Sequence, residues 1–230
     1  MNQALNRVRV RVWDLPTRLF HLLLLLSFAG LIISGQIGGD DVMQLHFYCG
    51  YLILSLLFFR LIWGVIGGYW SRFANFVPTP RSLWGYGMAL RNNHDPRFVS
   101  HNPLGALSVL AMLLLLLVQV LSGLMADDEV SVQGPWTAWV PNSWVEWATY
   151  YHTEIGQVAL LCLVGLHVAT VLYRRAFKND DLISPMTHGD KTLPSATRAT
   201  QDTWRTRLLA LVVWAACAYA VFYLVKLLPT

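Results

Sequence analysis

Five long runs of apolar residues, separated by polar loops, dominate the hydropathy pattern of the chain. Each run holds roughly 20 residues or more, which at about 1.5 Å per residue is enough for an α-helix to cross about 30 Å of hydrocarbon. The runs occupy residues 17–36, 44–66, 103–125, 150–173 and 207–227. The pattern therefore predicts five transmembrane helices, which we call apolar segments 1 to 5.

The composition supports a membrane-embedded chain. Hydrophobic residues make up 55% of the 230 residues, charged residues 13%, and the mean hydropathy is +0.45, which is too apolar for an ordinary soluble domain. We predict an all-α membrane protein, a transmembrane bundle with a four-helix core and a fifth helix that packs on that core or on another subunit. No small-residue cleavage site follows segment 1, so we expect it to stay in the mature protein. The three cysteines lie inside apolar segments without CxxC spacing and are predicted to be core residues.

The positive charges predict the orientation. Apart from Lys226, every Lys and Arg lies between the N-terminus and Arg18, around the loop from segment 2 to segment 3, or around the loop from segment 4 to segment 5. The other two loops lack basic residues and carry Asp40, Asp41, Asp127, Asp128, Glu129 and Glu146. The positive-inside rule places the N-terminus in the cytoplasm and the C-terminus outside. Because this asymmetry accounts for the net charge of +4, we expect the lipid bilayer and no nucleic acid as a partner.

Segment 4 carries two histidines, His152 and His167, in an otherwise apolar helix. Fifteen residues of helix separate them, which puts the two imidazoles roughly 22 Å apart along the axis. An imidazole inside hydrocarbon must hydrogen-bond, pair or ligate, so each is a candidate functional residue. The spacing suits two stacked cofactors, one near each face of the membrane.

Two further histidines match these in depth. His21 and His167 each lie about 6 to 9 Å inside the cytoplasmic boundary, and His46 and His152 each lie about 3 to 4 Å inside the outer one. A lone histidine in an apolar helix is more often a satisfied core residue than a ligand. Here all four histidines of the spans find a partner at the same depth, which favours the pairs His21 with His167 and His46 with His152. The remaining histidines, His94, His101 and His188, fall in loops.

Two imidazoles that face each other from different helices are the usual means of holding a haem b iron without a covalent link, and the chain lacks the CxxCH of c-type attachment. With both axial positions filled, electron transfer is favoured over oxygen binding. A zinc or copper site would need the four histidines to converge, which the two depths argue against. A third interpretation is a proton or metal-ion transporter with histidines as relay groups.

Several other residues carry expectations. Arg18 lies on the same helix face as His21, so it is a candidate for binding a haem propionate or a quinone, or else a membrane anchor. Arg60, at the cytoplasmic end of segment 2, is a second candidate. Asp14 and Asn102 are predicted to cap the helices that follow them. Gly105 and Gly123 would permit close helix packing or give room for a flat ring.

The loops carry three predictions. Residues 83–90 are predicted to form a short amphipathic helix on the membrane surface. Residues 178–205 are predicted to be a polar, mobile linker. The outer loop between segments 3 and 4 is acidic and rich in tryptophan, which is typical of an interfacial aromatic belt, although it would also dock a basic partner.

The chain resembles the bacterial cytochrome b561 and nickel–iron hydrogenase cytochrome b subunit family over residues 12–191. The matching motifs are WDLPTRLFH (13–21), His46 with Gly50 and Tyr51, RLIWG (60–64), HNPLGA (101–106), HTE (152–154), GLHV (165–168) and MTHGDK (186–191). It departs at Leu22, where the family often has tryptophan, and at His188 and Asp190. The resemblance implies a domain over residues 1–191 and a linker with a fifth helix over residues 192–230.

In this family the haem-ligating positions match His21, His46, His152 and His167. The resemblance implies a di-haem protein of the bacterial inner membrane that exchanges electrons between a quinone, ubiquinone or menaquinone, and a periplasmic partner. That partner is a hydrogenase in one branch and a soluble cytochrome c in another. Oxidation of superoxide with quinone as acceptor is the enzymatic alternative, and it calls for a positive entry path at the outer face. The residues leave the branch, the direction of electron flow and the oligomeric state open.

Overall fold

The computed structural model describes residues 7–130 and 132–226. Its elements, in chain order, are β1 (Arg7–Arg11), α1 (Leu15–Ile37), α2 (Asp40–Ile66), α3 (Phe73–Phe76), α4 (Pro80–Arg91), α5 (Pro103–Met125), α6 (Asn142–Tyr150), a π-helical turn (Tyr151–Gly156), α7 (Gln157–Phe177), α8 (Ile183–His188), β2 (Asp190–Pro194) and α9 (Trp204–Lys226). Short 3₁₀ turns lie at Tyr69–Ser71 and Thr137–Trp139.

Within the described residues, five helical stretches are long and apolar enough to cross a membrane. They correspond to the five apolar segments, so the predicted fold class, an all-α transmembrane bundle, is confirmed. Segment 4 was predicted to begin at Tyr150, but its helix begins at Asn142 and includes α6, the π-helical turn and α7. The sequence prediction missed α6 because its tryptophans and its acidic residue are equally typical of an interfacial loop. The predicted end of segment 5, Leu227, lies outside the described residues, as do both chain termini.

The chain divides into two compact units. The first unit comprises Met1–Leu19, Leu61–Ala111 and Leu166–Ala210, and the second comprises Phe20–Arg60, Met112–Gly165 and Leu211–Thr230. The predicted division of the chain at residue 191, between the cytochrome-like domain and the linker with the fifth helix, stays a prediction.

In the first unit, the start of α1 is organised by Asp14, which is fully buried. One carboxylate oxygen accepts a hydrogen bond from the backbone N–H of Thr17 at 2.9 Å, as a helix N-cap does. The other oxygen accepts from Trp63 Nε1 at 3.1 Å and from the backbone N–H of Gly68 at 2.9 Å. The predicted cap is confirmed, and it also ties the start of α1 to the end of α2.

The predicted polar linker of the first unit contains regular structure. Strand β2 pairs antiparallel with β1, with Arg7 opposite Pro194 and Arg11 opposite Asp190. Gly189 precedes β2 with φ of 92°, a left-handed conformation that glycine adopts without strain, and its carbonyl accepts hydrogen bonds from two backbone N–H groups of the N-terminal segment. Thr200 Oγ1 donates to the carbonyl of Val12 at 2.7 Å. These pairings join segments about 180 residues apart, which a local polar composition does not reveal.

The helix over residues 83–90 and the cap before α5 are also confirmed for this unit, and the position of that helix on the membrane surface stays a prediction. Helix α4 contains the predicted amphipathic residues 83–90 and begins after Thr79, whose side chain accepts a hydrogen bond from the backbone N–H of Ser82. Asn102 Oδ1 accepts from the backbone N–H of Gly105 at 2.7 Å and caps α5.

An ion network closes the first unit around the end of α7. Arg174, only 8% exposed, donates to Asp180 Oδ2 at 3.0 Å and pairs with Asp95 Oδ2 at 3.3 Å. Lys191 Nζ lies 3.2 Å from Asp180 Oδ1. Burial raises the pKa of the Asp180 carboxyl, but the Lys191 ammonium and the Arg174 guanidinium outweigh burial and hold that pKa below its ordinary value.

This network predicts a loss of stability in acid. Because the folded-state pKa of Asp180 is depressed, its contribution is present above the ordinary aspartate pKa and is lost as the pH falls through the folded value. We expect the free energy of unfolding in detergent to fall as the pH drops below about 4. The variant Asp180→Asn should lose about 1 kcal/mol of this dependence. The exposed Asp41→Asn is the control. An Asp180→Asn protein with the pH dependence of the wild type would contradict this prediction.

The second unit has an apolar core built from four helices. Its buried residues are Ile53, Leu54, Leu57, Leu116, Val120, Leu124, Leu160 and Val221. Helix α9 contributes Val221 to this core, and Trp214 Nε1 donates to Ser55 Oγ of α2 at 3.3 Å. The fifth helix therefore packs on the other helices of this unit, which is one of the two arrangements the sequence allowed.

Candidate functional site

The four candidate histidines are all half-buried in long helices. His21, His46 and His152 belong to the second unit, and His167 belongs to the first. The second unit brings His46 and His152 together, with ring centroids 6.1 Å apart and ring planes at 76°. The pairing of His21 with His167 stays a prediction.

The ring of His46 is oriented by Ser34 of α1. Ser34 Oγ is 2.6 Å from the carbonyl oxygen of Gly30 and 3.1 Å from His46 Nδ1. The serine has one hydroxyl hydrogen, and it donates that hydrogen to the carbonyl, so the serine oxygen accepts a hydrogen bond from His46 Nδ1–H. This tautomer leaves the Nε2 lone pair for a ligand.

The ring of His152 is oriented in the same way by α5. His152 Nδ1 is 2.9 Å from the carbonyl oxygen of Gln119, which can only accept, so Nδ1 carries the hydrogen. Ser122 Oγ donates to the same carbonyl at 2.8 Å. Both histidines thus share one tautomer, with Nδ1–H bound to protein and Nε2 available, which is the usual arrangement of histidines that ligate metals.

His152 lies in the π-helical turn between α6 and α7. A π turn replaces the i+4 spacing of backbone hydrogen bonds by i+5, and such turns are frequent at functional sites. The carbonyl of His152 accepts a hydrogen bond from Gln119 Nε2 at 2.8 Å. Gln119 therefore contacts His152 twice, once at its ring and once at its backbone.

A cavity of about 230 Å³ lies beside the two rings. Four glycines, Gly35, Gly50, Gly123 and Gly134, are among its lining residues, most of which are apolar. A Cβ on Gly123 would lie 2.6 Å from His152 Cε1, and one on Gly35 would lie 3.4 Å from His46 Cε1. Glycines at these places leave room for the two imidazoles, and the room for a flat ring at Gly123 stays a prediction.

The donor set fits a haem iron better than a metal ion held by protein alone. Metal–imidazole bonds of about 2.0 Å, with each nitrogen about 1.1 Å from its ring centre, give a centroid separation of roughly 6 Å for two imidazoles on one metal. The observed separation is 6.1 Å. In the described part of the chain, no three His, Cys, Asp or Glu side chains form a group able to hold a metal ion. Two facing imidazoles fit an iron whose remaining ligands a haem macrocycle would supply.

Comparison with known proteins decides the family. A family model described as prokaryotic cytochrome b561 matches residues 12–189. The chain belongs to this family. It is accordingly a multi-pass membrane protein of electron transfer, and haem b is the cofactor that a b-type cytochrome family implies.

Curated relatives of this cytochrome are distant but extend over most of it. It is 23% identical over 222 residues to a probable Ni/Fe-hydrogenase B-type cytochrome subunit of Rhizobium leguminosarum bv. viciae, covering 82% of this chain and 91% of the relative. It is 23% identical over 220 residues to a probable Ni/Fe-hydrogenase 1 B-type cytochrome subunit of Escherichia coli (strain K12), covering 80% and 91%. A probable Ni/Fe-hydrogenase B-type cytochrome subunit of Azotobacter chroococcum mcd 1 is also 23% identical, over 80% and 89%. No solved structure matches the chain.

The two candidate arginines lie in different units of the cytochrome. Arg18, in the first unit, donates from Nη1 to the carbonyl of Thr187 at 2.7 Å and lies 3.9 Å from Asp202 Oδ2. Arg60, in the second unit, is 5% exposed, an unusual burial for an arginine. Contacts of either arginine with a haem propionate or a quinone stay predictions.

Sequence reasoning missed the residues that hold the histidines, namely Ser34, Gln119 and Ser122. Two of them, Gln119 and Ser122, lie in segment 3, and both contact the ring of His152. The available signal was their polarity, because polar residues inside a membrane span are costly unless they bond to something.

Proposed function

We propose that this cytochrome transfers electrons across the bacterial inner membrane by means of two b-type haems, between a membrane quinone and a periplasmic redox partner. His46 and His152 hold one haem near the periplasmic face, and His21 and His167 hold the other near the cytoplasmic face. A haem held by two of these histidines would supply reversible one-electron chemistry and would favour electron transfer over oxygen binding. We assign this function to residues 1–191 and a packing role to residues 192–230.

The observation that supports this proposal most directly is the facing pair of His46 and His152. Each ring donates Nδ1–H to a protein oxygen, Ser34 Oγ or the Gln119 carbonyl, so each is fixed before a ligand binds. Fixed ligands keep the same geometry in the oxidised and reduced states, which lowers the reorganisation that accompanies electron transfer. Most of the residues that line the adjoining cavity are apolar.

The rim of that cavity favours a positively charged partner. Asp127 and Asp128 are among its lining residues, and they also line a second pocket together with Glu129 and Glu146. A basic face on a soluble cytochrome c or on a hydrogenase would be attracted to these carboxylates, with an association rate that falls as salt is added. The same carboxylates repel superoxide, which argues against the superoxide-oxidising alternative.

On the cytoplasmic side we propose a quinone site next to the His21 and His167 pair, with Arg18 and Arg60 as candidates for contacts to quinone or haem propionates. The relatives named as hydrogenase cytochrome subunits support a hydrogenase as one possible class of partner. The bound quinone would be ubiquinone or menaquinone.

The haem count tests the proposal. We expect the purified wild type to give two b-type haems per chain by pyridine haemochrome, both low-spin, and His167→Ala to give one. A quinol should reduce the wild-type protein, and His167→Ala should slow this reduction by at least about tenfold, since a lost cofactor removes a step of the path. A colourless wild type, or an unchanged haem count in His167→Ala, would overturn the two-pair arrangement and revive the transporter interpretation.

A further inference from the structure

Gln119 of α5 has a set of contacts that the ligation of a haem by His152 does not by itself require. Its backbone carbonyl accepts His152 Nδ1–H at 2.9 Å, and its side-chain Nε2 donates to the His152 carbonyl at 2.8 Å. The first contact fixes the direction of the ring, and the second fixes the backbone that carries the ring. Gln119 thus contributes to both the position and the rotation of His152, and Ser122 Oγ of the same helix lies 3.3 Å from the ring Nδ1.

The orientation of the Gln119 amide is well determined. Its Oε1 atom is buried and has no hydrogen-bond partner among the described residues. Rotating the side-chain amide by 180° would place Oε1 next to the carbonyl oxygen of His152, and two hydrogen-bond acceptors in contact repel each other. The hydrogen bond from Nε2 to the His152 carbonyl therefore leaves Oε1 without a partner among the described residues. A buried polar atom that makes no hydrogen bond calls for a functional explanation.

The π-helical turn completes the arrangement. Gly156, which ends the turn, lies against Gln119 Oε1, so closely that a Cβ at this position would overlap that atom. Glycine is thus the residue that lets the amide reach the turn. The hydrogen bond to the His152 carbonyl and the close approach at Gly156 together hold the turn against α5.

We propose that Gln119 is the positioning residue of the His46–His152 haem site and sets the reduction potential of the haem bound there. This inference rests on the proposed function. A strong hydrogen bond from Nδ1–H raises the basicity of the ligating nitrogen, which stabilises the ferric iron. When the Gln119 amide no longer holds the His152 backbone, this bond lengthens and the ferric state loses stabilisation.

The test compares Gln119→Leu with Gln157→Leu. Both substitutions remove an amide from the lining of the same cavity, but only Gln119 holds His152. We expect both variants to keep two haems per chain. In Gln119→Leu alone, the ferric–ferrous equilibrium of one haem should move about tenfold towards the reduced form, a rise of about 59 mV for a one-electron couple. The electron paramagnetic resonance signal of that ferric haem should change as well, because it senses the orientation of the imidazole.

A second variant, Gly156→Ala, displaces the same amide from the other side and should shift the potential of the same haem in the same direction. Equal potentials in Gln119→Leu and Gln157→Leu would overturn the inference, since cavity polarity alone would then account for any shift. A wild type without two haems would overturn the proposed function instead, so the two failures are distinguishable.

Discussion

Purified His152→Ala protein is expected to carry one haem b per chain where the wild type carries two. His152 and His46 face each other with ring centroids 6.1 Å apart, a separation that fits two ligands of one metal. Loss of either ring leaves the iron with a single protein ligand next to a cavity that alanine enlarges. Haem should therefore be lost during purification in detergent, as measured by pyridine haemochrome.

The haem content of double variants tests whether His46 and His152 serve one site. His46→Ala with His152→Ala should lose no more haem than either single variant, because both side chains serve one site and their effects are not additive. His152→Ala with His167→Ala should lose both haems. His94→Ala, an exposed loop histidine, is the matched control and should keep two. Two haems in the His152→Ala protein would contradict the assignment.

Asp14→Ala is expected to lower the free energy of unfolding by about 3 kcal/mol, the largest effect on stability that we predict. The substitution removes a helix cap worth about 1 kcal/mol and takes their acceptor away from the buried Trp63 Nε1–H and the part-buried Gly68 N–H, at about 1 kcal/mol each. The carboxylate is fully buried, so water does not easily replace it. Reversible unfolding in mixed micelles measures the difference.

Two further variants define the cause of that loss. Asp14→Asn keeps an oxygen for the cap but gives up one acceptor and the negative charge, so an intermediate loss is expected. Asp40→Ala removes an exposed aspartate from the first turn of α2 and should change stability by about 0.5 kcal/mol at most. Equal stability of Asp14→Ala and Asp40→Ala would show that the hydrogen bonds of Asp14 contribute no net stabilisation.

The positions of the helices follow from the sequence because they depend on local properties. The start of α5 at Pro103 and its end at Met125 agree with the predicted segment, since the length of an apolar run and the cap that precedes it are both written in consecutive residues. The caps at Asp14 and Asn102 were predicted for the same reason. Helix α6 was missed because its tryptophans and its acidic residue are as typical of an interfacial loop as of the end of a membrane span.

The histidine pairs were predicted from the depth of each histidine in the membrane. The sequence gives this depth once the direction of each helix is known. The structure places His46 beside His152 in agreement with that argument, and their role as haem ligands remains our proposal. Depth gives no information about rotation of a helix about its axis. The identity of the residues facing each ring was therefore beyond the reach of the sequence.

By itself, the sequence determined the number of spans, the caps and the four histidines that sort by depth, because hydrophobic length and helix pitch act along consecutive residues. The tertiary structure alone decided that Ser34 and Gln119 accept the Nδ1–H groups, that a π-helical turn carries His152, and that β1 pairs with β2. These contacts join residues far apart in the chain. They depend on how helices rotate and pack to satisfy buried polar groups, which is a property of the folded chain and not of any one segment.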